Sequence, residues 1–75
     1  MDSHTDEVVR YLGYIIQANA IQFEGKWYPI LRILNHNYRE IHRRQVPAVE
    51  GVTDAKTATT LAILFAQEMI DREQS

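Results

Sequence analysis

The stretch that most constrains this chain runs from Thr53 to Arg72. Ala55, Ala58, Leu61, Ala62, Ile63, Phe65, Ala66, Met69 and Ile70 recur there at helical spacing. At about 100° per residue they fill an arc of roughly 200°. A surface helix needs only a little over ~100° of apolar arc to face a core. The spacing therefore predicts a helix over 54–72, capped by Thr53 or Asp54, with more apolar surface than one contact requires. Leu64 falls outside the arc altogether. A second copy is one expected cover, which makes residues 54–72 a candidate homodimer surface and Leu64 a candidate apolar anchor.

The rest of the chain must supply the other side of a core, and there is little of it. With 75 residues, a domain buries only about 60% of the surface its unfolded chain exposes. One small domain over 1–75 is expected. No cysteine is present, so neither a disulfide nor a thiolate metal site can staple it. A hydrophobic share of 45% argues against a disordered tail. The longest unbroken apolar run is Leu61–Ala66, far below the ~18 residues that would span a membrane. The acidic start, Met1 to Glu7, lacks the basic stretch and apolar run of a secretory leader. A soluble, cytoplasmic chain is the expectation.

Val8, Val9, Leu12, Ile15 and Ile16 form an apolar stripe that reads as a first helix from about Asp6 to Ala18. Ser3 and Asp6 have capping spacing, Gly13 would mark a close helix contact, and Asn19 a stop. Residues 21–28 read as a β-hairpin turning at Glu24-Gly25, with Ile21 facing Tyr28 and Gln22 facing Trp27. Pro29 suits the first turn of a second helix that runs to Arg43 or Arg44, weakest at Asn35-His36-Asn37. Gln45 to Thr53, with Pro47 and Gly51, reads as a loop. The expected fold is mainly α: a small three-helix domain with a short β-hairpin between helix 1 and helix 2. Its expected centre is Leu12, Ile15, Ile16, Phe23, Ile30, Leu34, Tyr38, Leu61, Phe65 and Met69.

Charge is segregated. The formal total is −2, yet residues 25–47 hold Lys26, Arg32, Arg39, Arg43 and Arg44 against Glu40 alone. Acids dominate both flanks. On a helix, Arg32, His36, Arg39 and Arg43 would stack at spacings of four, three and four into one ridge. Arginines in such a ridge grip carboxylates or phosphates. Arg44 lies about a quarter-turn or more off this face. Trp27, beside the turn, is a second candidate anchor, because tryptophan is enriched among interface hot spots.

Several chemistries are missing. His36 and His42 sit six residues apart and would point to different faces of a helix, so no single-helix metal pair forms. Single glycines at 13, 25 and 51 make no phosphate-cradling loop, and Ser3 and Ser75 have no nucleophile context. No enzyme, cofactor or metal is expected. A pI near 5.8 disfavours nucleic acid, whose partners usually carry a basic total. The leading expectation is a small protein-binding regulator of the accessory kind found in phages and mobile elements. It would dock on an acidic surface of a larger enzyme or transcription complex through Arg32, His36, Arg39, Arg43 and Arg44, with Trp27 or Leu64 as anchor. The alternative is a dimeric DNA-binding regulator placing the same basic helix on phosphates.

Overall fold

A computed structural model describes residues 6–46 and 50–74. Four strands and one helix follow in order: β1 (Glu7–Tyr11), β2 (Tyr14–Phe23), β3 (Lys26–Leu34), β4 (Glu40–Gln45) and α1 (Ala55–Gln74). The strands form one antiparallel meander in the order β1-β2-β3-β4. This overturns the three-helix expectation. The first two expected helices are strands, and only the third is a helix. The capping position Ser3 and the loop residue Pro47 lie outside the described residues.

Two dipeptides build the first half of the sheet. Leu12-Gly13 joins β1 to β2 and Glu24-Gly25 joins β2 to β3, each with positive φ at both central residues (51° and 85°; 51° and 81°). Two-residue hairpins need that backbone, because its twist matches the right-handed twist of the strands. Gly13 thus marks a turn and not a helix contact. The expected pairing at the second turn is correct: Ile21 faces Tyr28 and Gln22 faces Trp27. Asn35 shapes the third turn, accepting from the backbone N–H of Asn37 (2.8 Å) and Arg39 (3.0 Å) through its side chain. Asn35-His36-Asn37, the weak point of the supposed second helix, is therefore a loop whose asparagine mimics a backbone turn.

Strand alternation sorts the side chains onto two faces. Ile16, Ala18, Leu31 and Ile33 point to one side and meet Ala62, Ala66 and Ile70 of α1, with Val46 closing one margin. Ala58, Ala62 and Ala66 recur every four residues and are fully buried, so α1 lies close on the sheet. Asp54 caps α1, accepting from the Thr57 backbone N–H at 3.0 Å and from its hydroxyl. At its far end α1 grips both outer strands. Tyr11 of β1 donates to Asp71 Oδ1 (2.8 Å), and His42 Nε2 of β4 lies 3.0 Å from Glu73 Oε2. The Asp71 hydrogen bond, followed by desolvation, raises the Tyr11 phenol above its ordinary value.

The core differs from the expected one in a regular way. Ile15, Ile16 and Leu34 are buried as anticipated, but Leu12, Phe23 and Tyr38 are exposed. Leu12 and Tyr38 occupy turn positions, and Phe23 sits on the face that α1 does not cover. Leu31 and Ile33, unremarkable on a helix, are the most enclosed residues of β3. Pro29 lies inside β3 and not at a helix start. The ring is tolerated because β4 pairs only from Ile30 onward, and there Pro29 offers just its carbonyl, to Val46 N–H at 3.0 Å.

Candidate functional site

The face of the sheet turned away from α1 is the candidate site. Register places its side chains in rows across the strands. One row is Val8, Gln17, Arg32 and Arg43; the next is Arg10, Ile15, Leu34 and Glu40. Beyond β1 and β4 the longer β2–β3 ribbon carries Ile21 opposite Tyr28 and Phe23 opposite Lys26. Along these strands the outward positions alternate polar and apolar in no strict order. An antiparallel sheet that faces water ordinarily shows a polar outer face. Here Val8 (64% exposed), Ile21 and Phe23 (61%) stand in solvent beside half-buried Tyr28 and Ile30.

Arg32 and Arg43 face each other across β3 and β4. Like charges so placed repel, and Glu40 resolves the conflict. Its Oε1 accepts from Arg32 Nε at 2.8 Å and from Arg43 Nη2 at 3.0 Å. The Arg43 hydrogen bonds and then the Arg32 hydrogen bond hold the Glu40 carboxyl below its ordinary value. Arg32 also donates from Nη1 to Gln17 Oε1 at 2.6 Å, which ties the group to β2. Two arginines share this one carboxylate, and Asp6 and Glu7 stand on a cleft beside them. The cleft, of about 370 Å³, opens between this group and the start of β1, lined among others by Asp6, Val8, Asn19 and Ile30.

The residues expected to form one basic ridge are therefore divided. Arg32 and Arg43 come together, through strand pairing and not through helical spacing. His36 and Arg39 sit in the exposed loop between β3 and β4. Arg44 is opposite Leu31, on the α1 side of the sheet, and exposed. Trp27 is half-buried and fixed by a backbone bridge to Val52, with N···O distances of 2.7 and 2.8 Å in the two directions. Leu64 stands outward on α1, 55% exposed, in a shallow groove of about 500 Å³ beside Leu61 and Phe65. Val8, Arg10, Gln17, Phe23 and Glu40 belong to the sheet face and were not anticipated. Read as strands, 7–11 and 14–23 put Val8 with Arg10, and Gln17 with Phe23, at alternate positions of one face, and that reading would have found these four.

Among the described residues no three histidines, cysteines or acids converge as metal ligands, and no helix is long and apolar enough to cross a membrane. No protein-family model matches the chain, and none of the curated proteins or solved structures compared with it is similar to it.

Proposed function

We propose that this chain is a non-enzymatic protein-binding domain that docks through the open face of its sheet on an acidic, apolar-centred surface of another protein. The observation that carries the reading is the mismatch between faces: both sides of the sheet present apolar side chains, and α1 covers one. Such a sheet calls for a second layer. Exposed Phe23 and Ile21 are the anchors, and the hot-spot pattern of interfaces fits a large apolar group beside charged neighbours. Charge selects the partner. Residues 6–46 hold Arg10, Lys26, Arg32, Arg39, Arg43 and Arg44 against Asp6, Glu7, Glu24 and Glu40. Acidic side chains are thus steered to this half of the molecule.

The alternative of a basic helix on double-stranded DNA has lost its helix, since the arginines lie on strands and loop and α1 carries more acids than bases. Single-stranded nucleic acid is the less favoured partner: Phe23 and half-buried Tyr28 offer rings to bases, but Val8, Ile21 and Ile30 make the open face chiefly aliphatic.

The test is selection from a displayed library of random peptides with the full chain as bait. Enrichment of acidic peptides with apolar centres supports the reading if Ile21→Ser/Phe23→Ser abolishes their binding and Leu64→Ser leaves it intact. No enrichment, or enrichment indifferent to the Ile21/Phe23 pair, overturns it. Tighter binding of a single-stranded oligonucleotide than of any peptide would also overturn it.

A further inference from the structure

We propose that β1 is a self-recognition edge, through which two copies of this chain join their sheets into one of eight strands. The two edges of the sheet are built differently. β4 carries His42, Arg43 and Arg44 in succession and a register shift opposite Ile33 and Leu34. Charged edges and bulges are the devices that keep edge strands from pairing. β1, Glu-Val-Val-Arg-Tyr, has neither a bulge nor a proline nor a lysine, and it leaves Val8 largely in solvent. Among the described residues its only strand partner is β2.

Register identifies the occupant. Tyr11 and Tyr14 flank a two-residue turn and so form a hydrogen-bonded pair, as do Val9 with Ile16 and Glu7 with Ala18. The backbone N–H and C=O groups of Val8 and Arg10, and of Asp6 if the chain stays extended, then point away from β2. A two-fold axis normal to the sheet at Val8 places Val8 against its own copy. The same axis puts Asp6 of each chain opposite Arg10 of the other. All outward backbone groups then find partners, about six N–H···O=C bonds in an antiparallel ladder. Both carboxylate–guanidinium pairs fall on the open face, where Asp6 and Val8 line the cleft. Moving the axis to Val9 sets Arg10 against Val8 and leaves Asp6 without its pair. The symmetric placement of an acid and a base two residues either side of an exposed valine is thus complementary to itself, as a two-fold interface requires. The cleft of each copy would lie against the joint, so the two open faces would run together into one surface.

The test is sedimentation equilibrium of the full chain from micromolar to millimolar concentration. A monomer–dimer equilibrium is expected. Asp6→Arg and Arg10→Asp should each weaken it about tenfold to thirtyfold, since each loses two ion pairs and gains two repulsions. Mixed in equal amounts, these two variants should form a heterodimer, and the swapped double variant Asp6→Arg/Arg10→Asp should recover the wild-type equilibrium. Val8→Pro gives an independent arm, removing an outward N–H without touching the β1–β2 ladder. A monomer throughout the range would overturn the proposal. So would single variants that associate as well as wild type, or association abolished by Leu64→Glu and indifferent to Asp6 and Arg10. Failure of the peptide selection above would not bear on these outcomes.

Discussion

Ile33→Ala, compared with Ile21→Ala, asks whether the sheet has the two faces described. The two residues carry the same side chain and both lie in strands. Ile33 has no exposed surface and packs in the cluster with Ile16, Ala66 and Ile70, whereas Ile21 is 46% exposed on the open face. Truncating a buried isoleucine to alanine costs about 2–5 kcal/mol, and the upper part applies where neighbours cannot collapse into the space. The neighbours across the interface are Ala62 and Ala66, held on a regular helix, so about 3–4 kcal/mol is expected. Ile21→Ala removes a side chain already half in water, and we expect less than about 1 kcal/mol. A chain of 75 residues has a stability of only about 4–11 kcal/mol, so Ile33→Ala consumes a large part of it. In thermal unfolding followed by circular dichroism, the loss corresponds to roughly 15–25 °C. Equal losses for the two variants, or a loss below about 1 kcal/mol for Ile33→Ala, would refute the assignment of faces.

Gly13→Ala places a methyl in open space but keeps a φ of +85°. Its cost is therefore backbone strain alone, about 1–2 kcal/mol by urea titration, whereas a helical Gly13 would have been stabilised by the same change. At Gly51 the contact dominates. A Cβ there would stand 2.7 Å from Lys26 Cβ and 2.8 Å from the Tyr28 ring. Gly51→Ala should therefore cost about 1–3 kcal/mol and shift Trp27 fluorescence, because the neighbouring Val52 bridge must move. Asp54 and Glu40 both titrate below their ordinary values in the folded state, Asp54 chiefly through its Thr57 hydrogen bonds. A carboxyl with a depressed folded pKa contributes stability that is present above its unfolded value and lost as pH falls through the folded one. Melting temperature should thus fall below about pH 4, less steeply in Asp54→Asn and Glu40→Gln than in wild type. Tyr11 has the opposite sign: its raised phenol pKa favours the fold below about pH 10 and ceases to do so above, an alkaline loss that Tyr11→Phe should remove.

The parts legible in the sequence were those with one dominant local signal. The run from Ala55 keeps helical spacing through Ile70 despite its threonines, and Asp54 before it is a good cap, so α1 could be read within two residues of its observed ends. Glu24-Gly25 between aromatic and branched residues gave both the turn and the register of its hairpin. The same chemistry stands at Leu12-Gly13, but Val8, Val9, Leu12, Ile15 and Ile16 also fit helical spacing. That coincidence hid a turn whose flanks are rich in β-branched residues, which favour strands. The run from Ile30 to Leu34 is apolar on both faces except at Arg32, so it showed no alternation at all. A strand partly covered on both sides cannot be told from a buried helix by period. Within the candidate site, Arg32 and Arg43 come together by strand pairing and not by helical spacing. Their separation of eleven residues is closed by a loop and a cross-strand register that no local pattern encodes, and Glu40, which makes their proximity tolerable, looked like a lone acid in a basic stretch.

The most direct measurement on the open face is a two-dimensional nitrogen–proton spectrum of the labelled chain, titrated with an acidic, apolar-centred peptide taken from the selection. Shift changes are expected to concentrate on outward residues of β2 and β3, namely Gln17, Ile21, Phe23, Ile30 and Arg32, while amides of α1 from Ala55 to Gln74 stay in place. Changes centred on Leu61, Leu64 and Gln67, with the sheet silent, would contradict the claim that the uncovered face of the sheet is where this protein binds.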